Sequence, residues 1–136
     1  MRKLYTYGLA VIENNKILLC ESYAFKDLIL PGGIKEDDEL HVDNLLREIS
    51  EELGDEAVLD VASLKYLGNF EDLAAGEGDT LVEIELYAGA VSGRLKPSYE
   101  IKRLHWYSAK DDRDQLSAVI KNKILPYLIE NKYLVN

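Results

Sequence analysis

Three glutamates, Glu48, Glu51 and Glu52, stand at positions i, i+3 and i+4 of a segment with helical periodicity. Residues at this spacing share one face of an α-helix, so the three carboxylates are predicted to converge within about one turn. Arg47 can reach Glu51, but one guanidinium does not neutralise three carboxylates. Oxygen ligands without His or Cys suit a hard divalent ion, Mg²⁺ or alternatively Mn²⁺. Taken alone, however, the three glutamates favour an ordinary solvated helix face.

The helix that must carry these glutamates is predicted to start near Asp37 and Asp38, which are plausible caps, and to end at Gly54. Its apolar positions follow spacings of four, three and four, which predicts a single buried stripe made of Val42, Leu46, Ile49 and Leu53. The glutamates would then occupy the opposite side of the helix. The segment Pro31-Gly32-Gly33 before the helix opposes regular structure and predicts a tight, exposed turn.

Segments rich in β-branched and aromatic residues surround this helix and predict strands. Two of them, residues 3–12 and 17–21, flank Asn14-Asn15 and are typical of a hairpin. Three more are expected at 58–70, 81–91 and 103–107, with a Gly- and acid-rich loop at 71–79. A terminal helix is predicted over 117–127, broken near Leu125 by Pro126. Strands on both sides of a helix, followed by more strands and a closing helix, indicate an α/β sandwich around a mixed sheet.

Length and composition limit the classes of function. With 136 residues, 47% of them hydrophobic, the chain is expected to form a single domain over residues 1–136. Its net charge of −9 repels a phosphate backbone, which argues against binding a nucleic-acid duplex. No apolar run approaches the ~20 residues that cross a bilayer, and the N-terminus lacks a signal-peptide core. We therefore expect a cytoplasmic protein that does not bind membranes.

The carboxylates belong to a longer pattern that changes how they are interpreted. Its positions fit G-x5-E-x7-R-E-U-x-E-E-x-G, where U is a bulky aliphatic residue, and they are Gly33, Glu39, Arg47, Glu48, Ile49, Glu51, Glu52 and Gly54. This segment, Gly33 to Asp55, resembles the Nudix box, and most of the chain is consistent with the family. Asp55 departs from the pattern, because the family usually has an aliphatic residue there.

The resemblance implies a Nudix-like α/β/α sandwich with a central mixed sheet and an Mg²⁺-dependent pyrophosphohydrolase. In this family a nucleoside diphosphate linked to another group is hydrolysed. Carried over by position, Glu48, Glu51 and Glu52 would hold the metal, and Glu39 and Arg47 would orient them as a supporting pair. Glu48 is assigned as the base that removes a proton from the attacking water, with Glu52 beside it in the catalytic group. Family members differ in which glutamate does this.

Three further predictions follow from the resemblance. Gly32 and Gly33 would let the backbone approach the substrate. Glu100, six residues before Trp106, is a candidate fourth metal ligand, and an ordinary exposed loop acid is an equal alternative. Many family members form dimers, so a homodimer is one possible arrangement.

Substrate and activity have alternatives at this stage. Subgroup markers for ADP-ribose and dinucleoside polyphosphates are absent around Phe70 and Asp72, which leaves a nucleoside triphosphate or a related small nucleotide ahead. A non-catalytic nucleotide-binding sensor or interaction module of the same fold is the principal alternative. An isoprenyl diphosphate isomerase is disfavoured, because Cys20 has no His cluster near it in the sequence.

Overall fold

A computed structural model describes residues 2–76 and 78–136 and contains two β-sheets with helical segments packed against them. The strands are β1 (Lys3–Ala10), β2 (Ile12–Glu13), β3 (Lys16–Ser22), β4 (Gly32–Ile34), β5 (Ala57–Leu73), β6 (Leu81–Gly93) and β7 (Ile101–Ser108). The helices are α1 (His41–Leu53) and α2 (Leu125–Glu130), and a 3₁₀ turn (Arg113–Gln115) and a π-helical turn (Ile120–Ile124) precede α2.

The larger sheet is mixed and has the strand order β4-β1-β6-β5, in which β1 and β6 are parallel and the other pairs antiparallel. The smaller sheet, β2-β3-β7, is antiparallel. The predicted hairpin links β2 and β3, and Asn14 and Asn15 have φ of 52° and 60°. Positive φ at both central residues is typical of a type I′ turn, which matches the twist of the flanking strands.

Neighbouring residues in the central strands belong to different core clusters, because side chains alternate between the two faces of a strand. Leu9 packs in the cluster that contains Leu45 and Leu53 of α1, whereas Ala10 packs in the cluster that contains Leu125 and Leu128 of α2. The two helices therefore cover different faces of the strands. This confirms the predicted α/β sandwich with a mixed sheet.

Helix α1 differs from its prediction at its start and in its buried face. It begins at His41, and its N-cap is Leu40, which makes no side-chain capping hydrogen bond, so Asp37 and Asp38 do not cap it. Leu46 is 44% exposed, whereas Leu45 is fully buried. Adjacent helical residues differ by about 100° around the axis, so the buried face is rotated toward Glu52 and that glutamate is not opposite the apolar stripe.

The end of α1 and the turn before it both depend on glycine. Gly54 has a φ of 93° and ends the helix as predicted. Gly32 has a φ of 133°, and it pairs with Gly8 of β1 in the short β4–β1 ladder. A methyl group at Gly32 would overlap the carbonyl oxygen of Tyr7. The predicted exposed turn without regular structure is therefore wrong: Pro31 is buried, and Gly32 and Gly33 are half-buried and open strand β4, held against β1 at a distance that glycine alone permits. The Pro31–Gly33 segment, which bends at Pro31 and enters β4, is called the glycine turn below.

The C-terminal helix shows the predicted irregularity at Leu125, where the N–H donates to the carbonyl of Ile120 and closes the π-helical turn before α2. Pro126, which has no N–H to donate, then lies in the first turn of α2. Strand β5 extends to Leu73, so the loop between β5 and β6 is shorter than predicted. Within the described residues, no helix has both the length and the hydropathy of a membrane span.

Candidate active site

Glu52 is a buried carboxylate fixed to the glycine turn. Its side chain lies at the edge of the packing face of α1, and the residue is 9% exposed. The backbone N–H of Gly32 donates a 2.8 Å hydrogen bond to Glu52 Oε1. Burial raises the pKa of Glu52 well above its usual value of 4.5; the bond from Gly32 opposes this, and the charges of Glu48, Glu100 and Glu51 add to it. An ionised Glu52 is therefore costly in the metal-free protein.

Glu48 lies one helical turn before Glu52 and packs against the other glycine of the turn. A methyl group at Gly33 would overlap its carboxylate. Arg47 Nη1 donates to Glu48 Oε1 over 2.8 Å. Burial raises the pKa of Glu48, Arg47 opposes the change, and the charges of Glu51 and Glu100 reinforce it. Both glutamates thus experience the negative charge of neighbouring carboxylates.

Arg47 joins the helix to the loop that precedes it. Its guanidinium donates to both carboxylate oxygens of Glu39, with Nη2 distances of 3.1 and 3.2 Å, and it approaches Glu51 at only 4.0 Å. Burial alone would raise the pKa of Glu39, but hydrogen bonds from Asn44, the Glu36 N–H and Arg47 hold it below 4.5. The Glu39–Arg47 pair predicted from the sequence is therefore in contact, and Glu48 is its neighbour.

Asn44 is a buried polar residue of α1 that the sequence analysis did not single out. Its Nδ2 donates to Glu39 Oε1 at 2.9 Å and to the carbonyl of Ile34 at 3.1 Å, with a longer contact of 3.4 Å to the carbonyl of Gly33. It therefore ties the glycine turn and Glu39 to the helix. A polar residue next to Leu45 within a helical apolar pattern was the available signal, but many such residues face solvent.

Glu100 comes from a separate loop that is fastened to the end of α1. The N–H groups of Lys96 and Ser98 donate to the carbonyls of Leu53 and Glu52, at 2.8 and 3.2 Å. These bonds satisfy carbonyls that the helix end leaves without partners. The loop brings Glu100 close enough for its charge to raise the pKa of Glu48 and Glu52.

The donor set fits a divalent cation. Glu48 and Glu52 both experience the charges of Glu51 and Glu100, and Arg47 Nη1 lies 2.8 Å from Glu48 and 4.0 Å from Glu51. A bound Mg²⁺ or Mn²⁺ would relieve this excess of negative charge, and carboxylate oxygens are its preferred ligands. Across residues 2–76 and 78–136, no three acidic, His or Cys side chains stand close enough to hold one ion as they are placed. The carboxylates therefore lie near one another without the full convergence that the helix spacing predicted.

Replacing Arg47 with Lys is expected to lower kcat of any hydrolytic reaction at this site by about 10- to 100-fold, the usual effect of disturbing groups that orient metal ligands. A lysine keeps the charge but cannot bridge Glu39 and Glu48 with a planar fork. Steady-state kinetics and metal titration would measure the change. Arg103→Lys is the matched control, because Arg103 forms its pair with Glu21 on the exposed surface. Equal kcat in the two variants would contradict a positioning role for Arg47.

Comparison with protein-family models tests the family resemblance that the residues from Gly33 to Asp55 carry. The family model described as NUDIX domain matches residues 3–128. The chain belongs to the Nudix family. This membership confirms the family predicted from the residues of the box and, with it, the predicted class of enzyme, a Nudix-type pyrophosphohydrolase. No curated protein matches the sequence.

Three solved structures share the fold at low sequence identity. The MutT protein from Methanosarcina mazei Go1 has a TM-score of 0.72 and 19% identity, with 96% of each chain covered. The solution structure of the E. coli ORF135 protein has a TM-score of 0.71 and 19% identity, covering 100% of this chain and 96% of the other. An ADP-ribose pyrophosphatase from Streptococcus suis 89-1591 has a TM-score of 0.60 and 20% identity, covering 98% and 94%. These similarities establish the fold.

Proposed function

We propose that this Nudix protein is a divalent-metal-dependent hydrolase, with Mg²⁺ as its ion and Mn²⁺ as a substitute, that cleaves the pyrophosphate bond of a small nucleotide. The observation that carries the proposal is the buried Glu52, which accepts a hydrogen bond from the Gly32 N–H and experiences the negative charge of three further carboxylates. Burying a carboxylate without a cationic partner is costly. Such an arrangement is retained when the charge has a use, here the binding of a cation and a phosphate group.

Each residue of the proposed site has a distinct task. Glu48, Glu51, Glu52 and Glu100 would hold the metal, and a bound divalent ion would neutralise phosphate oxygens and lower the pKa of a water molecule. Glu48 is the proposed base that accepts the proton of the attacking water. Arg47 and Glu39 form an ion pair that holds α1 and the loop before it in a fixed relative position. Gly32 and Gly33 are the proposed backbone contacts of the diphosphate, while the side-chain space beside them holds the Tyr7 carbonyl and the Glu48 carboxylate.

The proposed substrate is a nucleoside triphosphate or a related small nucleotide, which the protein would bind in the cytoplasm. The absence of the ADP-ribose marker at Phe70 supports this choice. One structural neighbour is nevertheless an ADP-ribose pyrophosphatase, so ADP-ribose belongs among the compounds to be tested.

A substrate panel with and without metal tests the proposal. Purified protein in 5–10 mM Mg²⁺, a concentration chosen at about millimolar level to saturate a weak carboxylate site, is offered nucleoside triphosphates, ADP-ribose, nucleotide sugars and dinucleoside polyphosphates. We expect release of phosphate or pyrophosphate from at least one of them, complete loss in EDTA, and recovery on adding Mg²⁺ or Mn²⁺. The identity of the product shows which bond is cut.

Two outcomes would contradict the proposal. Absence of turnover with every compound would reject hydrolysis of this substrate class, and calorimetric binding without product would favour the non-catalytic sensor. Activity that survives complete metal removal would reject the metal role of the carboxylates. A homodimer stays a prediction, which sedimentation of the purified protein can test.

A further inference from the structure

The side-chain amide of Asn44 lies where the glycine turn meets Glu39, and the residue is completely buried. Its Nδ2 donates to three oxygens, which are Glu39 Oε1 at 2.9 Å, the Ile34 carbonyl at 3.1 Å and, at the longer distance of 3.4 Å, the Gly33 carbonyl. These oxygens repel one another, because each carries a full or partial negative charge. An uncharged amide with two N–H donors holds them together without adding a cation to the site.

The other polar atom of this amide, Asn44 Oδ1, is buried with no hydrogen-bond partner among the described residues. The reverse orientation of the amide would place Oδ1 against the three oxygens and leave the N–H donors unpaired, so the contacts fix the orientation. A buried acceptor without a partner is uncommon, because it loses water without compensation. Asparagine is also a weaker helix former than alanine or leucine. The donors are therefore what this position of α1 uses.

The oxygens that Asn44 holds lie next to the groups proposed to carry out the reaction. Glu39 shares Arg47 with Glu48, since the guanidinium donates to both Glu39 oxygens and its Nη1 donates to Glu48 Oε1 at 2.8 Å. Gly33, whose carbonyl Asn44 also contacts, is the residue against which the Glu48 carboxylate packs. Glu48 is thus located from two sides, by Arg47 and by Gly33, and Asn44 is connected to both sides.

We propose that Asn44 is a positioning residue for the reaction: its amide holds Glu39 and the glycine turn together and thereby sets the place of the Glu48 carboxylate. The inference rests on the proposed function, in which Glu48 holds the metal and accepts a proton. Asn44 is 0% exposed, so it touches neither substrate nor solvent and acts only through its neighbours. It precedes Glu48 by four residues, about one helical turn, so it controls the distance between the turn and the part of α1 that carries Glu48.

Two substitutions that remove the amide test the inference. Asn44→Leu keeps the branched shape of the side chain, whereas Asn44→Ala does not. Both should lower kcat by about 10- to 100-fold and raise the Kd of Mn²⁺ by about tenfold, the usual effects of losing a group that orients metal ligands. The Kd is measured by electron paramagnetic resonance on substrate-free protein, and kcat in saturating Mg²⁺. The KM of the nucleotide should stay within about twofold, because no contact with the bound substrate is removed.

A double-mutant cycle with Glu39→Ala separates positioning from a general structural role. Glu39→Ala removes the carboxylate to which both Asn44 and Arg47 donate. Independent residues lose activity by the product of their separate factors, whereas residues that act through one another lose less together. The double variant should therefore retain more kcat than that product. Asn122→Ala is the matched control and should leave kcat and the Kd unchanged, because Asn122 is exposed and its side chain donates only to Asp72.

Three results would overturn the inference: an unchanged kcat in both Asn44 variants, a loss confined to one of them, or a double variant whose loss equals the product. Thermal unfolding gives the range in which each variant is folded, and kcat is compared within it. Hydrolysis by the wild type decides the proposed function separately, and without hydrolysis the Kd of Mn²⁺ replaces kcat in these comparisons. Mn²⁺ binding that depends on Asn44, without hydrolysis, would leave this inference intact and reject cleavage. Hydrolysis with an unchanged kcat in both variants would do the reverse, and a wild type that neither binds Mn²⁺ nor hydrolyses nucleotides would reject both.

Discussion

Replacing Glu52 with Gln is expected to lower kcat by about 10³-fold, within the range that a catalytic proton-transfer or metal-binding group contributes. The same substitution should make the metal-free protein harder to unfold at neutral pH. Glutamine can still accept the hydrogen bond from the Gly32 N–H, and it carries no charge into the buried position. Loss of activity together with a gain of stability would indicate that the carboxylate is kept for its chemistry.

The gain in stability should depend on pH in a definite direction. The pKa of Glu52 is raised in the folded protein, so the folded state binds its proton more tightly than the unfolded chain. The resulting contribution to stability is fully present below the ordinary value of 4.5 and is lost as the pH rises through the raised pKa. Wild type and Glu52→Gln should therefore unfold alike near pH 4.5 and diverge toward pH 8, with each kcal/mol worth about 4 °C in Tm.

Thermal unfolding in EDTA at several pH values measures this effect, and adding Mg²⁺ completes the test. Mg²⁺ should raise the Tm of wild type more than that of Glu52→Gln, because a ligand that binds only the folded state stabilises it. Glu56→Gln, an exposed glutamate just beyond the helix, is the matched control and should change neither kcat nor Tm. A Glu52→Gln protein with wild-type kcat would place the metal site elsewhere.

Replacing Gly33 with Ala is expected to lower kcat by about 10²-fold, the cost of misplacing a reacting group by about 1 Å. The added methyl group would overlap the Glu48 carboxylate, which must then leave its place beside the glycine turn. Gly33 has an ordinary φ, so alanine fits its backbone, and the side chain that gives way belongs to a flexible glutamate. Activity should therefore fall much more than stability. Kinetics and thermal unfolding of the same preparation would measure both.

The adjacent substitution Gly32→Ala provides the contrast. Its methyl group would overlap a backbone carbonyl of Tyr7 and would occupy a φ of 133°, so both the β4–β1 pairing and the bond to Glu52 would be disturbed. Gly32→Ala should consequently lose stability as well as activity. If Gly33→Ala kept wild-type kcat, or if the two variants lost stability equally, the proposed placement of Glu48 over the turn would be wrong.

Much of this molecule could be predicted from local sequence patterns. Segments rich in β-branched and aromatic residues predicted the strands, and the Asn14-Asn15 pair predicted the turn of the hairpin. The spacing from Gly33 to Gly54 identified the family, which the family model confirms over residues 3–128. These features were predictable because they depend on residues that are close in the chain, where backbone geometry and spacing largely fix which side chains share a face.

Tertiary contacts decided which side chains are buried at the site and which distant residues lie close to it. The helical pattern around Leu45 and Leu46 allowed two buried faces, and packing against β1 and β5 selected the one that buries Glu52. Glu100 approaches Glu52 because a loop binds the helix end, and Ser117 is buried where its N–H donates to the carbonyl of Leu28. Such contacts join residues far apart in the chain. Their formation depends on the summed burial and hydrogen bonding of the whole fold, so no short segment of sequence can specify them.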